Sequence, residues 1–243
     1  GGDAPISDVT TQRTPMLVKH LMNHTSGLTY GFMNSNPVDA QYREEAIEFQ
    51  SRSESLADIT KRLASIPLLC QPGSQWNYSV ATDVLGRLVE VLSGMSLAAF
   101  LQQRIFAPLK MVDTGFSVPE QTQHRFASLY APKVGGDMSS VGGAATRVPQ
   151  DERGGLVLQE GSAQSVYFEA PGSHSGGGGL VGTIGDYARF CQMLINEGEL
   201  DGERILAPST LRYMRTNQLP DNSDMAGMGQ PVWSETSYDG IGF

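Results

Sequence analysis

Residues 71–94 read QPGSQWNYSVATDVLGRLVEVLSG, and the rest of the chain is organised around this stretch. Pro72-Gly73 is a turn dipeptide, because proline presets φ and glycine tolerates the left-handed region. From Val80 onward the apolar residues Val80, Val84, Leu85, Leu88, Val89 and Leu92 recur at helical spacing. Ser79 is placed to cap that helix, Asp83 to suit its first turn and Gly94 to close it. Tyr78 therefore stands just ahead of a helix N-terminus, on a loop held from both sides. Partial positive charge there favours a phenolate, which makes Tyr78 a candidate proton acceptor. Position alone favours a plainer role, a packed tyrosine donating one hydrogen bond.

A chain of 243 residues can bury a sizeable core as one large domain or two small ones. Hydrophobic content of 40% and charged content of 18% suit a globular protein. A net charge of -9 argues against nucleic acid or an anionic membrane as the main partner. No apolar run approaches the length of a membrane span. Cys70 and Cys191 lie beside or within apolar helical patterns and read as buried thiols, with a single disulfide left open. So few cysteines lean towards a reducing compartment, the cytoplasm ahead of a periplasmic or secreted setting.

Outward from the central stretch, Thr14-Pro15 and Gly27 bound a first helix, with Thr14 as N-cap and Pro15 in the first helical position. Met16, Leu17, His20, Leu21 and His24 share one face of it. His20 and His24 are four apart, but no glutamate-bearing zinc motif surrounds them and no third ligand presents itself. A core or capping role is expected, and no metal. In residues 34–53, Asp39, Arg43, Glu44, Glu45 and Glu48 read as a solvated face, with Tyr42, Ala46 and Phe49 as the apolar stripe. Ser55 opens a helix in a capping-box-like pattern, with Leu56, Ile59, Leu63 and Ile66 on one face until Pro67.

Beyond the central stretch, Ser96 caps a helix that runs through Phe106 and stops at Pro108. Residues 114–118 and 125–131 alternate like short strands, and 165–170 reads as a strand or an extended segment. Residues 134–161 read as a long loop, of the kind that is usually functional or mobile. Residues 183–196 form a helix capped by Thr183 and Asp186, with Ile184, Tyr187, Phe190, Cys191, Leu194 and Ile195 facing inward until Gly198. A last short helix covers 208–217, and 220–243 is loop-like, ending as a strand might begin. Gly177, Gly179 and Gly182 satisfy G-x-G-x-x-G, but Ala-Pro-Gly-Ser-His-Ser precedes them instead of a hydrophobic strand. Close backbone packing or a positive-φ turn is expected there, with His174 as an exposed loop histidine.

The pattern P-G-x-x-W-x-Y-S before a helix resembles the tyrosine motif of the serine β-lactamase and penicillin-binding-protein superfamily. The likeness is strongest to its class C-like branch, which includes the β-lactamase-like carboxylesterases. Residues 21–28, LMNHTSGL, resemble the family's L-L-x-H-T-S-G-L, and residues 175–190, SGGGGLVGTIGDYARF, resemble its G-G-L-x-S-T-x-x-D-x-x-R-F. The three matches fall in the family's order over most of the chain. This implies an α+β fold of the β-lactamase/transpeptidase type, a helical domain beside an antiparallel sheet flanked by helices. Residues 1–243 would be part of one catalytic unit, mainly its helical region and loops. The resemblance also implies that Tyr78 helps deprotonate a serine nucleophile and protonate the leaving group, with Trp76 and Val80 beside the substrate. The His-Thr-Ser-Gly-Leu turn would brace the floor of the site. Residues 34–54 would be a variable insertion, either a lid over the cleft or an exposed helix. A small-molecule ester or amide substrate is implied, and no cofactor.

The family's nucleophile lies in Ser-x-x-Lys, where a lysine one helical turn away eases loss of the hydroxyl proton. Here Lys19, Lys61, Lys110 and Lys133 are preceded three positions earlier by Met16, Asp58, Ala107 and Tyr130, so that motif does not occur. Lys-Thr-Gly, a family-like His-Gly-Gly and the G-x-S-x-G elbow are also missing. The chain is accordingly expected to be an internal fragment of a serine hydrolase, carrying the tyrosine without the nucleophile. Class C lactamases usually have Asn two residues after the tyrosine, where this chain has Val80. That points to the carboxylesterase branch and to short-chain ester cleavage through an acyl-serine. A β-lactamase or D-amino-acid peptidase of the same superfamily, and a catalytically silent binding module with this fold, are the alternatives.

Overall fold

Helix α4 (Ala81–Ser93) is the element on which α1 (Val18–Met22), α3 (Leu56–Leu63) and α5 (Leu97–Leu101) all pack. The computed structural model describes residues 6, 8–33, 35–132, 155–161 and 163–224. Gly86 is what lets the neighbours come so close to α4. A Cβ there would stand 2.9 Å from the Leu97 side chain and 3.4 Å from the backbone of Gly176. Glycine inside a helix costs roughly 1 kcal/mol relative to alanine, so the close approach is its reason. Gly94 closes α4 at φ 69°, as expected. The expected Ser79 cap does not form: Val80 is the N-cap residue, and buried Ser79 pairs with His24 Nδ1 at 3.2 Å.

Helix α1 is shorter than the sequence suggested, because Thr14-Pro15 lie ahead of it and Leu17 is its N-cap. His20 Nδ1 accepts the Leu17 N–H at 3.2 Å, which is the capping role expected of that histidine. Helix α2 (Pro37–Glu44) is capped by Asn36 with Pro37 in its first turn. Asp39 is not on a solvated face. It is fully buried and accepts from Thr29 Oγ1, from Ser35 N–H and Oγ, and from Asn36 N–H. Four donors replace the water it loses, which is how a buried carboxylate is tolerated. Ala46, read as part of the apolar stripe, is exposed at φ 47°, and Ile47 enters the core instead. Helix α3 is capped by Ser55 and buries Leu56, Ile59 and Leu63, with Ile66 beyond it, as its periodicity requires.

Ser96 caps α5, which continues into one π-helical stretch, Gln102–Phe106. Residues 114–118 form only a single bridge, Gly115 to Val181, and no strand. Strands β1 (Leu129–Pro132) and β2 (Leu156–Glu160) pair antiparallel with an irregularity after Leu129. Most of the expected 134–161 loop lies outside the described residues, as do residues 225–243. The stretch read as a strand or an extended segment at 165–170 holds a 3-10 turn over Val166–Phe168, capped by Ser165, with extended backbone at Ser165 and Glu169 on either side. Helix α6 (Ile184–Ile195) has the expected Thr183 cap. The short pair β3 (Glu199–Leu200) and β4 (Glu203–Arg204) follows, then α7 (Pro208–Met214).

The main core joins Leu21, Leu28, Tyr42, Phe49, Leu56, Ile59 and Val80 between the helices. A smaller one sets Phe106, Leu109 and Met111 against Met193 of α6. The inward face assigned to α6 holds for Phe190 and Leu194, which pack on the smaller core, and needs correction for the rest. Ile184, Tyr187 and Ile195 are 92%, 66% and 71% exposed, whereas Met193 and Asp186 are buried. The apolar residues of α6 form two stripes, and the side that meets the 106–111 turn is the covered one. Among the described residues, no single helix is long and apolar enough to cross a membrane.

Candidate active site

The Tyr78 loop is stitched to residues 24–29 by backbone hydrogen bonds. Gly73 N–H donates to the Thr25 carbonyl at 2.7 Å, Asn77 N–H to the His24 carbonyl at 2.9 Å and Val80 N–H to the Thr29 carbonyl at 3.2 Å. Just upstream, Leu69 N–H donates to the Gly27 carbonyl at 2.7 Å. Gly27 is required there: its φ is 85°, and a Cβ would lie 2.5 Å from the Cys70 carbonyl oxygen. Two segments that looked alike to one family in separate places are thus one piece of backbone. Asn23 steadies the turn, accepting from Thr25 N–H and Oγ1 and donating to the Gln218 carbonyl at 2.9 Å.

The third segment docks on the start of α4. Ser175 Oγ and Gly177 N–H both donate to buried Asp83, the second at 3.1 Å. A Cβ on Gly176 would stand 2.1 Å from the Thr82 carbonyl oxygen, so the loop lies flat against the helix. This is the close packing expected of the glycine run, and Gly179 adds a positive φ of 81°. Burial raises the Asp83 carboxyl above the usual carboxylate range, while the Ser175 hydroxyl and the Gly177 amide oppose that rise. His174, expected to be exposed, is half-buried with its ring edge-on to Phe116, and desolvation lowers its affinity for a proton.

Around Tyr78 the rings of Tyr30, His24 and Trp76 lie 5.1, 5.4 and 6.5 Å away, centre to centre. Tyr78 is half-buried, and its ring is inclined by 44° to that of Tyr30. Burial, the Asp83 charge and Tyr78 push the Tyr30 phenol well above its ordinary range, so it keeps its proton. His24 holds a left-handed φ of 55°, and burial keeps its imidazole neutral at pH 7. Strain at a left-handed non-glycine residue persists only where the surroundings over-determine it, and here both its ring and its carbonyl are engaged.

Trp76 and Val80, expected beside the substrate, are 1% and 2% exposed. Trp76 is buried against Leu219 and Tyr78, and Val80 belongs to the main core, so both back the loop and neither fronts it. Both are apolar, and burial is what their side chains gain most from. Tyr30, Thr82 and the working role of Asp83 were not read from the sequence. Asp83 gave no signal: it lies about 100° around the helix from Val84, off the apolar stripe, and the docked glycine loop is what covers it. Cys70 and Cys191 are half-buried free thiols. Among the described residues, no cluster of His, Cys, Asp and Glu is arranged to hold a metal ion. A cavity of about 700 Å³ lies apart from Tyr78, walled by Met16, Leu28, Val38, Leu63, Leu69 and Val84.

A family model described as Beta-lactamase matches residues 3–241. The chain belongs to the beta-lactamase family. Within that family, esterase EstB of Burkholderia gladioli is 32% identical over 253 residues, covering 99% of this chain and 58% of the esterase. The monacolin J acid methylbutanoyltransferase of Aspergillus terreus is 29% identical over 213 residues, covering 87% of this chain and 45% of the transferase. Among solved structures, that of EstCE1, a hydrolase with promiscuous acyltransferase activity, matches with a TM-score of 0.62 at 28% identity. It covers 85% of this chain and 51% of that one. The expected α+β, β-lactamase/transpeptidase-like fold is the fold of these neighbours. The chain spans about half the length of the curated relatives it matches.

Proposed function

We propose that the whole protein is a serine hydrolase resembling the β-lactamase-like carboxylesterases, which cleaves short-chain esters through an acyl-serine intermediate. Residues 1–243 would form the tyrosine-bearing part of one catalytic unit, with residues 34–54 as a lid and with a nucleophile outside these residues. The observation that carries the reading is the setting of Tyr78. Its half-buried phenol stands just before α4, while Trp76, Asn77, Ser79 and Val80 around it are all buried. Between Trp76 and Val80 the phenol is the one side chain left partly open, which is how a loop presents a reacting group.

In the proposed reaction Tyr78 takes the hydroxyl proton of the serine as its oxygen attacks the ester carbonyl. When the tetrahedral intermediate collapses, the C–O bond to the alcohol breaks and Tyr78 returns the proton to that oxygen. Water then attacks the acyl-serine by the same steps, releasing the acid. An alcohol in place of water would give acyl transfer, which the named acyltransferase relative makes the second reading. Val80 lies in the core where the lactamases usually carry an amide, which supports esters ahead of lactams.

The test assays the whole protein on an aryl acetate and on a chromogenic cephalosporin. Ester turnover with little or no lactam turnover is expected, and Tyr78→Phe should lower the ester rate about 10²–10⁴-fold, the usual weight of general acid–base steps. A cephalosporin turned over much faster than the ester, or a Tyr78→Phe rate within a few-fold of the parent, overturns the proposal.

A further inference from the structure

We infer that Phe32 is a substrate-binding residue: its ring, stacked on Tyr30 beside Tyr78, forms a ledge for the alcohol half of the ester and selects aryl esters. This rests on the reading of Tyr78 given above and adds to it the class of alcohol. Phe32 belongs to a short 3-10 turn, Gly31–Met33. Its ring lies 4.7 Å from the Tyr30 ring and is inclined to it by 20°, and the Tyr30 ring lies 5.1 Å from that of Tyr78. The three rings form a row, with successive centres at the spacing of attractive aromatic pairs. Exposure rises along it: Tyr78 and Tyr30 are half-buried, and Phe32 is 37% exposed. A single exposed aromatic is ordinary on a protein surface. One stacked on the neighbour of the reacting phenol is placed where a substrate passes.

The turn is anchored on both sides of this ring. Leu28 and Thr29 ahead of it are buried, and so is Met33 at its end, whose N–H donates to the Tyr30 carbonyl at 3.2 Å. Arg43 of α2 donates from Nη1 to the Gly31 carbonyl at 2.6 Å. A Cβ on Gly31 would stand 3.1 Å from Arg43 Cγ and 3.5 Å from Tyr42 Cβ, so the turn lies close against α2. A ring on so fixed a backbone has little freedom left to lose when a flat partner stacks on it. Which half of the substrate meets the row follows from the chemistry. Tyr78 hands its proton to the alcohol oxygen, so that oxygen comes within about 2.6–3.2 Å of the Tyr78 hydroxyl. The group bonded to that oxygen is thus brought beside the Tyr78 and Tyr30 rings, while the acyl carbon is held on the serine. An aromatic alcohol continues the row by stacking, which a straight alkyl alcohol cannot do.

The experiment measures kcat and KM of the whole protein on 2-naphthyl acetate and on butyl acetate, for wild type, Phe32→Ala, Phe32→Leu and Phe32→Trp. Binding of 2-naphthol is followed alongside by its fluorescence. Each variant is compared with wild type on the same ester, so the unequal reactivity of the two alcohols cancels. Phe32→Ala should lower kcat/KM on the naphthyl ester about three- to tenfold more than on the butyl ester, the usual weight of an aromatic pair. The loss should fall mainly on KM, as for a contact made equally in the ground and transition states, and naphthol binding should weaken by a similar factor. Phe32→Leu should behave in the same way and covers the case in which the alanine variant fails to fold. Phe32→Trp keeps a ring and should stay within about twofold of wild type on both esters. Equal losses on the two acetates, or naphthol binding that Phe32→Ala leaves unchanged, overturn the ledge while Tyr78 stands. A wild-type protein without esterase activity overturns the reading of Tyr78, and with it the assignment of the ledge to an ester.

Discussion

Replacing Asp83 with alanine should loosen the glycine loop from α4, and the size of the effect follows from who bonds to whom. Ser175 would be left as a buried hydroxyl without its acceptor, at a cost of about 1–3 kcal/mol. Gly177 N–H suffers less, because Ser175 Oγ already lies 3.1 Å away as a second acceptor. The lost carboxyl volume adds about 1 kcal/mol as a small cavity, for a total of about 2–4 kcal/mol. Asp83→Asn keeps an oxygen that accepts from Ser175 and removes the desolvated charge, so it should cost less than about 1 kcal/mol.

The pH dependence gives a second handle on the same residue. Burial raises the folded-state pKa of Asp83 above that of the unfolded chain, so the folded protein holds this proton more tightly. Its stabilising contribution is present below the ordinary carboxylate value and is lost as pH rises through the raised one. Asp83→Asn should therefore gain on wild type as pH climbs through that window. Chemical denaturation of the whole protein at several pH values, read as midpoints at constant slope, measures both effects. An asparagine variant as damaged as the alanine one, or a wild type that gains on it with rising pH, would refute the reasoning.

Gly176→Ala should destabilise the protein by about 1–3 kcal/mol, since its Cβ meets backbone that cannot swing aside, and a thermal melt of the variant checks this. His24 titrates in the opposite sense to Asp83. Burial lowers its folded-state pKa, so its contribution is present above the ordinary imidazole value and is lost as pH falls through the lowered one. Denaturation midpoints should fall across that interval in wild type and flatten in His24→Gln. A wild-type midpoint that stays level there would show that the ring is not desolvated.

Local order alone settled a good part of this protein. Ser55, Ser96 and Thr183 cap their helices because each short side chain reaches an amide three residues on, which needs no knowledge of the fold. Leu56, Ile59, Leu63 and Ile66 declared a buried face by spacing, and the resemblance of three short segments named a family and singled out Tyr78. Other features were decided by what packs on what. Asp39 and Asp83 look like surface charges until donors from distant segments close around them, and Ser79 is an apt cap until His24 claims its hydroxyl. The two stripes of α6 are indistinguishable in sequence, and only the neighbour at 106–111 chooses between them. Hydrogen bonds within one turn are a local property of the chain, whereas burial and the ring contact between Tyr30 and Tyr78, 48 positions apart by their numbers, exist only once separate segments have met.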